Sequence, residues 1–565
     1  MLVAVAGVAI AAAAAAPAPA RADFTTDQPS NFAKTQERRA EFDTPAYRAL
    51  QAQIGARETA ALNDTLARDP ERNPRGNLCA THIEGCQGDA RLYDWQERGY
   101  GRSIPVLFTA ADGATLSGHV WATRAGPPRR PVIVIATGSV GSPEQFYWWA
   151  AQTLAKDGYV VLTFDVQGQG QSDTFGEDPD QMTHVPAEPE EASYTTSSYL
   201  DGIRNAIDFV ASTPAHPYEP FASPVTGATH RAKQDRRARA GLDAAYNPLW
   251  AMVAAAHIGV AGHSTGAQTS EQVSRDPRVG AAVLWDDVDT SDTDVQVRPN
   301  EIAGPPRVPV LEFGADYGIP AVPYSSPPDP SGRTTISRAY SHAGIDSMAV
   351  NIRGGSHLEW SYIADDALSA TLRGMDMSAW YTQAWFDKYL KHDRGADSRL
   401  LTNRWLGDAG EAAVDPNHDG DLFSTYYLSR FDFHAGARGR VVCEDLRSTQ
   451  CSPLLRADGL PANYSYLRQA LTPDSPTSGG GSGKPSAGPP CRRVVRFRFA
   501  RRRHVERITV RVNGRTVKVV TGRSIRRVSV RLPASGTAVV RLRIKARGAR
   551  TKFLVRRYRG CAAVR

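Results

Sequence analysis

The tightest constraint on this chain lies between His257 and Ser274. A short apolar strand, His257-Ile-Gly-Val-Ala-Gly262, runs into His263-Ser264-Thr265-Gly266 and then into helical sequence from Ala267 to Ser274. Gly-x-Ser-x-Gly set between a strand and a helix permits a very sharp turn. Such a turn lifts the Ser264 hydroxyl above the edge of a sheet. The N–H groups that open the following helix then face any negative charge that develops beside the serine. The chemical reading makes Ser264 a nucleophile, and the plainer one is a serine tolerated in a turn.

The surrounding pattern supplies a sheet for that turn. After Pro131, short apolar strands (Val132–Ala136, Tyr159–Phe164, His257–Ala261, Ala281–Trp285, Val308–Phe313, Met348–Ile352) alternate with helical stretches such as Glu144–Lys156, Tyr199–Val210 and Ala379–Leu390. Strands without a polar face, separated by helices, predict a mostly parallel sheet covered on both sides, an α/β fold. A hairpin precedes it, Ile104–Phe108 and Leu116–Trp121 about Asp112-Gly113.

A serine hydroxyl is a weak nucleophile until a base takes its proton and an acid orients that base. The strand Pro309–Gly314 leads to Asp316, and the strand from Met348 leads through Gly354-Gly355-Ser356 to His357. These give the order Ser264, Asp316, His357, with Asp286 or Asp287 as the alternative acid and Glu312, inside its strand, a poorer one. His263 adjoins the serine but points away from it, so it is expected to pack beneath the turn. Phe146-Tyr147-Trp148-Trp149 cannot all face one side of a helix, and Phe146, Tyr147 and Trp148 are candidates to line a substrate pocket.

With those residues in place, the segment from about 103 to 391 resembles the α/β-hydrolase family, in particular its dienelactone-hydrolase-like and esterase or lipase members. The matching pieces are Ala136-Thr137-Gly138-Ser139, Phe164-Asp165-Val166-Gln167-Gly168-Gln169-Gly170-Gln171-Ser172-Asp173, and the turn and triad above. The resemblance implies an oxyanion hole built from the Thr265 N–H and a second N–H at Ser139, with Val140 the next position. Thr137-Gly138 stands where the family commonly has His-Gly. The resemblance further implies a serine hydrolase of carboxylic esters, working without metal or organic cofactor on a small, lipid or polymeric ester. A peptidase on the same scaffold is one alternative. A catalytically inactive protein that binds through its basic tail is another.

That tail divides the chain electrostatically. Residues 491–565 hold 25 Lys and Arg and one acid, Glu506, whereas 23–490 carry a net charge of −17. Val494 to Arg559 alternates apolar residues with Arg, and Asn513-Gly514 offers a hairpin turn, so a small β-sandwich is expected there, able to touch polyanionic surfaces. It carries no sequence-specific nucleic-acid motif. Pro473–Pro490 is a Gly/Ser/Pro linker.

Residues 1–22, apolar and ending Ala20-Arg21-Ala22, read as a secretory signal peptide, with no membrane span in the mature chain. Six cysteines suggest pairs Cys79–Cys86, Cys443–Cys451 and Cys491–Cys561 and a secreted or cell-envelope location. The expected divisions are therefore 1–22, an N-terminal extension 23–100, a catalytic domain 101–430 with a cystine-containing extension 431–472, the linker 473–490 and the basic module 491–565. Thr174–Ser197 and Thr213–Asn247 interrupt the strand–helix rhythm and read as rim loops or surface insertions. Asp415-x-Asn417-x-Asp419-Gly420 resembles the start of a calcium loop, but Tyr426 stands where the closing acid belongs, so a polar turn is expected.

Overall fold

The computed structural model describes residues 24–37, 44–176, 196–286, 304–363, 370–406 and 422–474, apart from 84, 140, 225, 320, 462 and 463. In the basic tail it describes 494–499, 504–512, 515–531, 537–547 and 552–559. The signal segment, Val140, Asp287, most of Thr174–Ser197, the Asp415–Gly420 turn, nearly all of the linker, Cys491 and Cys561 lie outside the described residues. The chain divides into two compact units, Met1–Gly479 and Gly480–Arg565.

In the first unit ten described strands form one sheet. They are β1 (Arg102–Thr109), β2 (Thr115–Ala122), β3 (Arg130–Ala136), β4 (Val160–Phe164), β5 (Val253–His263), β6 (Val279–Trp285), β7 (Val310–Tyr317), β8 (Ser347–Ser356), β9 (Arg430–His434) and β10 (Arg440–Cys443). Their spatial order is β1-β2-β4-β3-β5-β6-β7-β8-β9-β10. The run from β4 to β8 is parallel, and the pairs beyond it at each end are antiparallel. Residues 431–472 thus supply strands to the same sheet.

The described helices are α1 (Phe24–Glu37), α2 (Pro45–Arg68), α3 (Trp148–Lys156), α4 (Thr196–Ala211), α5 (Arg231–Arg239), α6 (Thr265–Val273), α7 (Thr335–His342), α8 (Leu372–Leu390), α9 (Ala396–Leu400) and α10 (Tyr466–Ala470). Side chains alternate across a strand, and β3 shows what that does here. Val132, Val134 and Ala136 join one core with Leu200 and Ile203 of α4 and Ala267 of α6. Ile133 and Ile135 join the other with Trp149 of α3 and Met375 and Phe386 of α8. Both faces are covered, so the continuous apolar run is the sequence expected of such a strand. Each fully buried Val or Ile contributes roughly 1.5–3 kcal/mol of hydrophobic stabilisation. The α/β class is therefore observed.

Of the two irregular stretches, 213–247 closes an edge of the sheet. Thr109 N–H at the end of edge strand β1 donates to Gln234 Oε1 (2.8 Å), and Ala244 N–H donates to Leu107 O (2.8 Å). Backbone groups that would invite another strand are thereby occupied. Arg237 of α5, 1% exposed, fixes this cover by pairing with Asp69 (2.7 Å) and Asp243 (2.9 Å). Arg237→Ala would strand two buried carboxylates. A loss of about 3–5 kcal/mol in unfolding free energy is expected by denaturant titration.

Cys79–Cys86 and Cys443–Cys451 form disulfides. Among the described residues no helix is long and apolar enough to cross a membrane.

In the second unit β11 (Val494–Arg498) pairs with β14 (Arg527–Arg531). A second sheet has the order β13 (Arg515–Thr521), β12 (Val505–Val512), β15 (Thr537–Ala546), β16 (Lys552–Arg559). Phe497, Val528 and Val530 of the first sheet share a core with Ile508, Val510, Val540 and Leu542 of the second. The strands β12 and β13 flank Asn513-Gly514 as an antiparallel pair.

Candidate active site

The strand order reverses direction between β3 and β5: β4 lies on one side of β3, whereas β5 and its successors lie on the other. Loops leaving the carboxyl ends of those two strands part there and leave a crevice. Ser264 follows β5, and Ser139 follows β3.

Ser264 sits at φ 54° and ψ −123°, between β5 and α6, a backbone conformation that costs energy for a residue with a Cβ. Its two glycines are needed for close approach. A Cβ on Gly262 would lie 2.1 Å from Gly266 O, and one on Gly266 would lie 2.3 Å from Thr137 O. The turn is held by Ser264 N–H donating to Trp285 O (3.0 Å) and by Ala267 N–H donating to Ser264 O (2.8 Å). The first N–H groups of a helix have no acceptor within it, and Thr265 N–H is one of these.

His357 opens a short 3-10 turn just past β8. Its Nδ1 lies 2.5 Å from Asp286 Oδ2, and Asp286 Oδ1 accepts from Arg333 Nη1 at 2.6 Å. Arg333 in turn lies over the ring of Tyr427 (5.1 Å). Asp286 is itself at φ 47° immediately after β6, where its N–H donates to Phe313 O (3.0 Å). Burial works to raise its carboxyl pKa, but Arg333 and then His357 outweigh that and hold it below the usual Asp value.

The expectation that Asp316 orients His357 is therefore corrected to Asp286, the alternative. Asp316 is buried within β7, which continues through Tyr317. Its Oδ2 accepts from Gly354 N–H (2.6 Å) and its Oδ1 from the Ser424 hydroxyl, so it ties the end of β8 to the 422–427 segment. Strands β6 and β7 both lead into an aspartate, and apolar patterning does not say which one turns toward His357. Glu312 lies within β7, accepts from Ser337 N–H (2.8 Å), and is pushed up to about 8 by burial.

The loop after β3 is clamped beside the serine. Gly138 O accepts from Gln169 Nε2 (2.6 Å) and from the Tyr199 hydroxyl (2.7 Å), while Ser142 N–H donates to Gln169 Oε1 (3.0 Å). The Ser139 and Thr265 hydroxyls are 2.9 Å apart, which brings the two expected oxyanion positions together. Gly138 N–H is already engaged by Tyr147 Oη (2.9 Å), leaving Ser139 as the next donor along the loop.

His263 is buried, as expected, and it links this loop to His357. Its Nε2 is 2.7 Å from the His357 carbonyl oxygen, which can only accept, so that nitrogen carries the proton. Nδ1 is then an acceptor, and the Tyr147 hydroxyl, 2.9 Å away, donates to it. Burial first and the neighbouring His357 second push the His263 pKa down to about 3, so the ring is neutral. Gly138, Tyr147, His263 and His357 thus form one hydrogen-bonded chain. The two imidazoles lie 4.8 Å apart, which sets His357 beside the residue that adjoins Ser264.

The pocket expectation is corrected as well. Phe146, Tyr147 and Trp148 are 2%, 0% and 5% exposed and belong to the core. Trp148 packs on Tyr93, Trp121 and His119. An aromatic run at the start of a helix under a sheet edge finds more apolar surface inward than outward. Tyr147→Phe would leave the Gly138 N–H and His263 Nδ1 without this partner. We expect about 1–3 kcal/mol lower stability, read from urea titration.

Arg333 and Gln169 were not singled out for the site from sequence. Arg333 sits in a turn before α7 with no pattern of its own, whereas Gln169 lies within the Gly168–Ser172 motif. Among the described residues no group of three or more His, Cys, Asp or Glu gathers as a metal cage. Comparison with known proteins finds no matching family model and no matching curated protein.

Proposed function

We propose that this chain is a secreted serine hydrolase of the α/β-hydrolase fold, with an appended all-β basic module, that cleaves carboxylic esters. The observation that carries the reading is the combination of Ser264 at its left-handed strand–helix turn with His357 held by an ionised Asp286. The sheet order, with an antiparallel β2 ahead of the parallel run, supports the fold assignment, and the two disulfides support export.

The chemistry follows from the proton positions. Asp286 is ionised and accepts the Nδ1 proton of His357, so the Nε2 lone pair is the base. His357 takes the proton of Ser264 as its oxygen attacks the ester carbonyl carbon. The Thr265 and Ser139 N–H groups hold the resulting oxyanion, and Asp286 stabilises the imidazolium. As the tetrahedral intermediate collapses, the alcohol departs with the proton from His357. Water, deprotonated by His357, then attacks the acyl-enzyme, and the carboxylic acid leaves as Ser264 recovers its proton.

Hydrolysis of p-nitrophenyl esters from acetyl to palmitoyl by residues 23–565 tests this. Turnover that depends on Ser264 supports it, and the chain-length profile separates esterase from lipase. Silence from a folded sample overturns it in favour of a peptidase or an inactive scaffold.

A further inference from the structure

The second unit carries a charged surface that the catalytic reading does not use. In the β13-β12-β15-β16 sheet, alternate residues of β12 and β15 fill the core, and those between them face outward. The outward set on these adjacent strands is Arg507, Thr509 and Arg511 beside Lys545, Arg543 and Arg541, all exposed except Thr509, which is half-buried. The register sets Arg511 directly across from Arg541 and Arg507 directly across from Lys545. Like charges directly opposed in a sheet are destabilising. The one acid in 491–565, Glu506, cannot neutralise five cations. A general bias of the chain toward Arg does not account for the face, because Lys and Arg are 25 of the 75 residues in 491–565 but 41 of the 468 in 23–490.

The grid itself suits a string of anions. Successive outward residues on a strand are about 6.8 Å apart and neighbouring strands about 4.8 Å apart, so one guanidinium or ammonium can meet each successive charge of an extended polymer. The outer face of the β11–β14 sheet, on the far side of the shared core, also exposes Arg527 and Arg531. A membrane plane touches one such face at a time, whereas a flexible chain can pass over both. Beside the cations, the described outward side chains of β12, β13 and β15 include Thr509, Thr516, Val519 and Thr521, and the register of β16 sets Phe553 across from Arg543. Base-stacking proteins use a series of aromatic rings for successive bases, and the register offers one such position.

We propose that the β12–β15 face binds a flexible anionic polymer of the cell surface that carries phosphodiesters and no bases. Its attraction is charge-driven, so the affinity falls steeply as salt displaces the polymer. This holds whatever the reaction at Ser264.

The test uses the full chain and a fluorescein-labelled poly(glycerol phosphate) oligomer, read by anisotropy across a salt series. The Arg511→Gln/Arg541→Gln/Arg543→Gln variant is compared with Arg129→Gln/Arg394→Gln/Arg438→Gln, three exposed arginines of the first unit with the same change in net charge. A thermal melt confirms that each is folded. We expect the first variant to bind at least about 10-fold more weakly with a shallower salt dependence, and the second to stay within about 2-fold of the parent. Equal losses in the two variants, or no binding by the parent, would overturn the proposal. So would tighter binding to phosphatidylglycerol vesicles or to a single-stranded DNA of matched charge, which would assign the face to a membrane or a nucleic acid.

Discussion

Replacing Ser264 by alanine is expected to lower ester turnover by more than about 1,000-fold, with substrate binding and stability little changed. The size follows from what is removed. Without the hydroxyl there is no acyl-enzyme, and the Thr265 and Ser139 N–H groups are left to assist direct attack by water. Alanine at φ 54° keeps the strain that serine bears, so the turn itself has no new reason to move. Parallel measurement of kcat, KM and urea midpoint separates loss of chemistry from loss of fold. A variant that kept a tenth of the parent's kcat would mean that another group is the nucleophile.

The second large effect distinguishes the two aspartates. Asp286→Asn replaces an acceptor that fixes the proton on His357 Nδ1 by a side chain that can favour the other tautomer, and a loss of about 10,000-fold in kcat is expected. Asp316→Asn leaves the pair of His357 and Asp286 intact and should change kcat by less than about 10-fold while lowering stability, because it weakens the tie to Gly354 and Ser424. The pH dependence has a definite sign. The folded-state pKa of Asp286 is depressed, so its stabilising contribution is present above the usual aspartate value and is lost as pH falls through the depressed one. The stability difference between parent and Asp286→Asn should therefore shrink only below about pH 4, as read by urea titration at several pH values. The reverse ranking of the two variants in kcat would return the orienting role to Asp316.

How far the sequence could be read follows from what each kind of signal encodes. Strand β3 was legible because residues buried on both faces must all be apolar, and the turn at Ser264 because only glycines fit at 262 and 266. His357 was legible as the histidine just past an apolar strand. The choice between Asp286 and Asp316 was not, since it depends on which backbone leaves its strand at once. Asp286 does so at φ 47°, whereas Asp316 stays within β7, and local pattern carries no trace of that difference. Arg333 was illegible for a related reason. It reaches Asp286 from a turn 47 residues away, a pairing that only the folded sheet creates. Sequence alone makes Tyr147 a pocket candidate because aromatic rings serve pockets and cores alike. Its hydroxyl, set between Gly138 and His263, gives it a different role.

Labelling of the folded full chain with a fluorophosphonate, followed by peptide mass spectrometry, tests directly whether Ser264 is the activated nucleophile. One adduct per chain is expected, on Ser264, absent from Ser264→Ala and formed far more slowly by Asp286→Asn. An unlabelled chain, or an adduct on any other residue, would contradict it.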